Sequence, residues 1–247
     1  NMQNNTENDI LQLPEKIAIE KGIQIVICID EFQQISDFED SKTFQKKLRS
    51  VWQLQQHVSY CLFGSKKHLM NELFEKKNLP FYKFGDAIYL AKIETKYWIE
   101  YICKRFENTG KHISPELAEE ICRLVDNHSS YVQQLSWLLW IRTINTATTE
   151  QLSYALEDLL DQNNILFQSE TENLSAYQMN FLKAIVDGIH TKFSSKEVIS
   201  KYNLGTSANI VRLKNALLQK ELIETNGKEI VLADPVFEVW FKKEMLY

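Results

Sequence analysis

The chain has 247 residues, a length that allows one or two domains with well-buried hydrophobic cores. Apolar residues make up 44% of it and charged residues 25%, as in ordinary globular proteins. The formal charge of -5 excludes a general electrostatic attraction to nucleic acid or anionic membranes, so any basic surface must be local. The apolar runs are far shorter than the roughly 18 residues that indicate a membrane span, and the polar N-terminus is unlike a secretory signal.

The four cysteines and five histidines indicate the compartment and argue against a side-chain metal centre. Cys28, Cys61, Cys103 and Cys122 lack CxxC or Cys/His ligand spacing, and each lies in an apolar pattern. We therefore expect buried, reduced thiols in a cytoplasmic protein.

Residues 1–93 have the pattern of a small parallel α/β unit. The predicted elements are a helix over 9–21 that stops at Gly22, a strand over 24–29, a helix over 41–56, a strand over 58–65 and a short strand over 87–93. The first strand is apolar without alternation, which predicts that both of its faces are covered. Strand, helix and strand form a βαβ unit, for which a right-handed crossover is expected.

Residues 94–165 are predicted to be mainly helical. Ser114 has the N-cap position of a helix that has Pro115 as its first residue. Thr148 and Gln151 have the spacing of a capping box for the helix that follows. The stretch FQSETEN is polar and unpatterned, which predicts a domain boundary near residues 166–174.

Residues 166–247 have the pattern of a winged helix-turn-helix. Two capping boxes, Ser175 with Gln178 and Ser194 with Glu197, predict the starts of two helices, and an apolar periodicity predicts a third. The residues that follow alternate around Asn-Gly, a strong hairpin signal, and Asp234 is placed to cap a final helix.

The acidic pair Asp30-Glu31 follows the first predicted strand directly. In a parallel α/β sheet, ligands bind at the carboxyl ends of the strands. An aspartate there can bind Mg²⁺, and the next glutamate can orient a water for attack on a phosphoryl group. The alternative is that the strand simply ends in an acidic turn.

Five motifs in the chain resemble those of the archaeal-type ATPases, a branch of the AAA-like and STAND P-loop NTPases. In order, they are IDEFQQI, FGSKKHLM, PFYKFGDAIYLAKI, HSSYVQQLSWLLW and DPVFEVWF. The resemblance extends from about Leu13 to the end and implies an α/β P-loop core with parallel strands, then a helical lid and a winged helix, mainly α overall. On this basis the domains would be 1–93, 94–165 and 166–247.

The resemblance also implies roles for four residues and two cofactors, ATP and Mg²⁺. Asp30 would be the Mg²⁺-binding Walker B aspartate, Glu31 the catalytic glutamate and Ser65 the sensor-1 residue. His128 opens a lid motif that in relatives often reads His-Pro-Tyr-Tyr; here two serines replace the proline and its neighbour. The alternative for His128 is a helix N-cap region that packs against the core.

The sequence lacks the loop G-x-x-x-x-G-K-[ST], which holds the β- and γ-phosphates in this class of protein. We therefore expect the C-terminal part of an ATPase, shortened by gene truncation, cloning or proteolysis, that binds ATP poorly and barely hydrolyses it. In relatives the strand before this loop lies within the sheet, so its loss would expose strand edges. We expect self-association through residues 24–65, or a rearranged sheet.

The predicted winged helix has candidate DNA contacts on its third helix and on its wing. They are Ser207, Asn209, Arg212, Lys214 and Lys228. Ten Lys/Arg residues are balanced by ten Asp/Glu residues between 166 and 247, whereas DNA-binding domains usually carry a positive excess. A packing or protein-partner role is the alternative for this domain.

Three functions therefore stay open. The first is an ATP-dependent molecular switch, of which this chain is one part. The second is a winged-helix DNA-binding regulator that keeps a degenerate ATPase half as a dimerisation platform. The third is a non-catalytic scaffold or a partner in a toxin system.

Overall fold

The computed structural model describes residues 7–245 of the chain. Within this range the backbone forms eleven α-helices, four β-strands and one 3₁₀ helix. The chain divides into two compact units, of which the first ends at Tyr89 and the second begins at Leu90. Each unit contains its own cluster of buried apolar side chains.

The first unit contains a parallel strand pair with helices. Its elements are α1 (Glu7–Lys21), β1 (Ile25–Ile29), the 3₁₀ helix (Phe32–Asp37), α2 (Ser41–Trp52), β2 (Val58–Leu62) and α3 (Lys67–Glu75). β1 and β2 pair in parallel, with Ile25 opposite Val58 and Ile29 opposite Leu62. The parallel pairing expected from the sequence is confirmed.

An aromatic core packs against one face of this sheet. Trp52 of α2 stacks on Tyr60 of β2, with ring centroids 4.1 Å apart. Phe32 and Phe81 meet edge to face at 5.4 Å, and both are buried. Aromatic pairs of this kind stabilise a core beyond the area that they bury. This cluster fixes the sheet against α2 and the 3₁₀ helix.

No element among residues 7–245 covers the opposite face of the sheet. Two expectations from the sequence are therefore wrong: a first strand covered on both faces, and four buried cysteines. Burial alternates along both strands, and Val26 is 66% exposed. β1 is therefore not covered on both faces. Cys28 and Cys61 are exposed rather than buried, while Cys103 is partly buried and Cys122 is buried. Strand side chains alternate between faces, so a sheet packed on one side must expose every second residue.

The strand predicted over residues 87–93 is absent. Residues 86–94 have no regular secondary structure, and Leu90 is 93% exposed. A strand forms only where its N–H and C=O groups find a neighbouring strand. Within residues 7–245, β1 and β2 pair only with each other, and this segment pairs with neither.

The second unit begins with four helices and ends with a winged helix-turn-helix. Its elements are α4 (Thr95–Glu107), α5 (Pro115–Leu124), α6 (Ser129–Arg142), α7 (Thr149–Glu172), α8 (Ala176–Val186), α9 (Lys196–Lys201), α10 (Ser207–Gln219), β3 (Ile223–Asn226), β4 (Glu229–Leu232) and α11 (Pro235–Met245). β3 and β4 form the predicted antiparallel hairpin. None of the helices between residues 7 and 245 has the length and apolar character that a membrane crossing needs.

The helix starts in this unit follow the predicted local signals. The hydroxyl of Ser114 accepts a bond from the Leu117 N–H at 3.2 Å, and both halves of the capping boxes at Thr148 and Ser175 are formed. The box expected at Ser194 is one residue out of place, because the hydroxyl of Ser195 caps α9.

Residues 166–172, in the stretch where a domain boundary is expected, do not form a loop but belong to α7, which continues to Glu172. Phe167 and Thr171 lie four residues apart on one face of this helix, and both are buried. The ring of Phe167 lies 5.3 Å from that of Phe237 in α11. Packing against α11 therefore stabilises helix in a stretch that has no clear apolar pattern. The predicted division between residues 165 and 166 lies inside α7 and stays a prediction.

A polar contact joins the helical part of this unit to its winged helix. The hydroxyl of Tyr131 in α6 donates to Oδ2 of Asp234 at 2.5 Å. Oδ1 of the same aspartate accepts the Val236 and Phe237 N–H groups at the start of α11. Burial, and then the Asp234 carboxylate, raises the pKa of Tyr131. The tyrosine therefore stays protonated and keeps donating to the aspartate.

Candidate functional site

Asp30 and Glu31 follow β1, and Ser65 follows β2. Because the two strands are parallel, their carboxyl ends meet at one edge of the sheet. There the hydroxyl of Ser65 donates to Oε1 of Glu31 at 3.1 Å. The structure thus brings Glu31 and Ser65 into contact, and Asp30 directly precedes Glu31 in the chain.

Two backbone hydrogen bonds set the path of the acidic turn. The Phe63 N–H donates to the Ile29 carbonyl at 3.1 Å, and the Phe32 N–H donates to the Phe63 carbonyl at 3.0 Å. Glu31 lies between these fixed points in the left-handed region, with φ 50° and ψ 40°. Such a conformation costs a non-glycine residue about 1–3 kcal/mol. A bond from the Glu31 N–H to Oδ1 of Asp30, at 2.8 Å, helps to offset this cost.

Gln33 is a further residue of the site, which the sequence analysis did not identify. Its side chain is 2% exposed, and its Nε2 donates to Oε2 of Glu31. Its Oε1 is buried without a hydrogen-bond partner among residues 7–245. Nothing in the sequence distinguishes Gln33 from the neighbouring Gln34; only the tertiary fold buries one and exposes the other.

Gly64 provides the space that Gln33 occupies. A Cβ atom at position 64 would lie 1.9 Å from Oε1 of Gln33 and 3.0 Å from its Cδ. No side chain fits there unless the glutamine amide moves. Gly64 therefore helps to hold Gln33 against Glu31, immediately before Ser65 in the chain.

The oxygen atoms at this edge suit a hard cation such as Mg²⁺. Asp30 is exposed, and its Oδ2 makes no hydrogen bond within the described part of the chain. No group of three or more His, Cys, Asp or Glu residues between 7 and 245 is arranged to hold a metal. Mg²⁺ usually keeps several water molecules and takes only one or two protein carboxylates, so Asp30 and Glu31 fit such an ion.

His128 belongs to the second unit, where it is the N-cap residue of α6 but makes no capping bond with its side chain. Its ring lies 4.7 Å from that of Tyr131. Its Nδ1 is buried and has no hydrogen-bond partner within residues 7–245. The geometry is that of an N-cap residue packed on the core, and a nucleotide contact by His128 stays a prediction.

Four of the five candidate DNA contacts lie on α10 and the fifth lies in the hairpin turn. Ser207, Arg212 and Lys228 are exposed, whereas Lys214 and Asn209 are partly buried. The amide of Asn209 already donates to the Leu204 carbonyl at 3.0 Å, so this residue has a structural task.

We expect Gly64→Ala to destabilise the first unit by about 1–3 kcal/mol, because the added methyl group overpacks the site and displaces the Gln33 amide. The amide protons of Phe32 and Phe63 should then exchange faster with solvent, since they close the two backbone bonds of the turn. Hydrogen exchange measured by NMR tests this.

The matched control is the double variant Gln33→Ala/Gly64→Ala, in which the clashing side chain is gone. It should be less destabilised than the sum of the two single variants, because the two changes relieve one another. Strictly additive effects would mean that Gly64 and Gln33 do not act together.

The comparisons with known proteins match the C-terminal domain by sequence and nearly the whole chain by structure. Residues 165–243 match the family model described as "Probable winged helix domain". No curated protein sequence matches the chain. The structure is similar to the Walker-type ATPase PABY2304 of Pyrococcus abyssi, with TM-score 0.74 and 17% identity, over 96% of this chain and 68% of that one.

Two further solved structures give weaker likenesses. The RuvB Holliday junction branch migration motor of Thermotoga maritima has TM-score 0.45 and 13% identity, over 98% of this chain and 75% of that one. The ORC1 protein of Aeropyrum pernix in complex with DNA has TM-score 0.44 and 11% identity, over 92% and 66%. Because their TM-scores lie below 0.5, these two likenesses support no conclusion about this chain. The resemblance to archaeal ATPases is confirmed at the level of fold: the chain has a P-loop ATPase-like fold with a small parallel sheet and a C-terminal winged helix.

Proposed function

We propose that Asp30, Glu31 and Ser65 form the metal and phosphoryl end of a nucleotide site in an ATPase-type molecular switch. The observation that carries this proposal is the 3.1 Å contact between Ser65 and Glu31 at the carboxyl ends of two parallel strands. The likeness of fold to a Walker-type ATPase supports it. Asp30 would bind Mg²⁺ directly or through water.

Each residue has a separate task in this proposal. Glu31, oriented by Ser65 and Gln33, would accept a hydrogen bond from the attacking water. The hydroxyl of Ser65 would contact the γ-phosphate or that water. Mg²⁺, when bound, supplies neutralisation of the phosphate charge. Catalysis of phosphoryl transfer depends mainly on such positioning.

We expect this chain to hydrolyse ATP no faster than the spontaneous rate measured in buffer without protein. The sequence contains no Gly-rich phosphate loop, so Asp30 and Glu31 have no anchored phosphate on which to act. A phosphate-release assay and calorimetry with Mg²⁺ and ATP measure this. Micromolar ATP binding or steady turnover would contradict it.

We expect this chain to bind a divalent cation at Asp30 even though it does not hydrolyse ATP. Paramagnetic Mn²⁺, added alone, should broaden the NMR signals of residues around Asp30 and Ser65, because Asp30 presents an exposed carboxylate there. Asp30→Asn should abolish the broadening. Asp37→Asn is the matched control, since it removes an exposed carboxylate from the nearby 3₁₀ helix. Equal loss in both variants would refute a specific cation site.

In a longer protein, nucleotide state would move the second unit as one body. One hydrophobic core runs through its helical part and its winged helix. The bond from Tyr131 to Asp234 and the packing of Phe167 on Phe237 join the two parts. A change at the lid helices would therefore be carried to the winged helix.

We propose that the first unit associates with a second copy of itself through the edges of its sheet. Within residues 7–245, β1 and β2 have only each other as neighbours, so each strand has one unpaired edge. Such edges readily pair with another chain. Four exposed apolar residues of α1 would add to the surface that is buried in this association. These are Ile10, Leu13, Ile17 and Ile19.

Val26→Lys should shift the chain towards the monomer, because a lysine on an edge strand opposes strand pairing. Sedimentation equilibrium over a range of concentrations measures the effect. Ile144→Lys is the matched control, since Ile144 is also apolar and exposed but lies in the second unit. An unchanged association in Val26→Lys, or a wild-type chain that stays monomeric at high concentration, would refute sheet pairing.

For the winged helix we propose packing or protein contacts rather than the reading of DNA. The charges over residues 166–247 cancel. The hairpin sets Glu224 and Glu229 against the single Lys228, and Asn209 is already bonded to Leu204. DNA binding draws most of its affinity from phosphate contacts by basic residues, and in this domain acidic residues are equally numerous. DNA binding through α10 is the second candidate.

We expect no binding of duplex DNA at physiological salt in a fluorescence anisotropy titration. Any binding at low salt should fall away with a shallow salt dependence, because few phosphates are contacted. If DNA binds at low salt through α10, Arg212→Ala should weaken that binding. Lys242→Ala is its control, since Lys242 is paired with Glu238 on α11. Tight binding that survives physiological salt and is lost only in Arg212→Ala would favour the DNA-binding regulator.

We expect this function in the cytoplasm. The four cysteines are free, which suits a reducing compartment.

A further inference from the structure

Cys28 of β1 and Cys61 of β2 lie directly opposite one another in the parallel register. Both thiols are free and exposed. Opposite residues of a parallel pair point to the same face, and here that face is the open one. The two thiols are therefore neighbours on an accessible surface.

The spacing of the strands allows the two residues to be bridged. Neighbouring strands lie about 4.8 Å apart, within the range of about 4.4–6.8 Å between the Cα atoms of a disulfide. The Cβ atoms of a disulfide lie closer, about 3.8 Å apart, so the side chains must be drawn together. A bridge formed in this way is strained and exposed, and such bridges are easily reduced.

We propose that Cys28 and Cys61 form a reversible intrachain disulfide when the chain meets a peroxide. This modification site is separate from the proposed nucleotide chemistry and does not rest on it. Cytosolic disulfides, where they occur, are mostly transient and respond to the redox state of the cell.

The reaction balances with hydrogen peroxide as the oxidant. One thiolate attacks a peroxide oxygen and forms the sulfenic acid, while the O–O bond breaks and the leaving hydroxide takes up a proton as water. The second thiol then attacks that sulfur, so an S–S bond forms, the S–O bond breaks and a second water leaves. Two thiols lose two electrons in all, and one peroxide becomes two waters.

The position of the bridge gives it a consequence for the strands. Cys28 lies two residues before Asp30, and Cys61 lies four residues before Ser65. The bridge would lie one pair before the last pair of the ladder, Ile29 and Leu62, and about 10 Å along the strand before Glu31, at about 3.3 Å per residue. Oxidation would thus fix the spacing of the two strands that carry these residues.

The other two cysteines serve as internal controls. The thiol of Cys103 is partly buried and contacts the Ile113 carbonyl at 3.8 Å. Cys122 is buried in the second unit, and burial raises the pKa of its thiol to about 11. Because the thiolate is the reactive form, Cys122 should react slowest.

The test uses the full chain in dilute solution, treated with hydrogen peroxide. Free thiols are then alkylated in denaturant and the peptides are mapped by mass spectrometry. We expect two of the four free thiols to be lost, with Cys28 and Cys61 joined in one linked peptide pair. Reduced glutathione should restore all four.

Cys28→Ser and Cys61→Ser should each abolish the rapid loss of the thiol pair, whereas Cys103→Ser should leave it unchanged. Links between chains only, separate oxidation of Cys28 and Cys61 to sulfinic acid, or no loss of thiols would each overturn the proposal. The peptide map of the unaltered chain decides the question even if a serine variant fails to fold.

Discussion

The parallel pairing of β1 with β2 is the constraint on which the candidate site depends. It brings together two chain segments separated by more than thirty residues, and the Phe63 backbone extends the pairing to Ile29 and Phe32. With both sides of the acidic turn fixed, Glu31 takes a left-handed conformation and meets Ser65. A shift of this register by one residue would turn alternate side chains to the wrong face and separate them.

The one-sided packing of that sheet explains most of the unusual surface of the first unit. The aromatic cluster around Trp52 and Phe81 covers one face. The other face leaves Val26 exposed and sets Cys28 beside Cys61. The exposed side chain of Val26 and the accessible thiol pair are thus two consequences of one packing arrangement. Both follow from the alternation of side chains along a strand.

The second unit is organised around contacts between segments that lie far apart in the sequence. Tyr131, in the motif that begins at His128, bonds to Asp234, which also caps α11. α7 passes from the helical part into the winged helix without a break, because Phe167 packs on Phe237. A single core supports both parts, and for this reason we treat them as one body in the proposed switch.

The sequence by itself determined what depends on near neighbours in the chain. Capping residues such as Ser114 and Ser175 start their helices as expected, because the bonds span only three residues. The apolar runs determined that β1 and β2 form strands, and the acidic pair marked the end of β1.

Only the tertiary structure decided what depends on distant partners. It buried Gln33 against Gly64 and exposed Cys28, and among residues 7–245 it left 87–93 without a strand to pair with. These outcomes depend on which distant segments of the chain pack together, and the local pattern of residues does not indicate this. For the same reason Asn209, an apparent surface residue of α10, has its amide bonded within the fold.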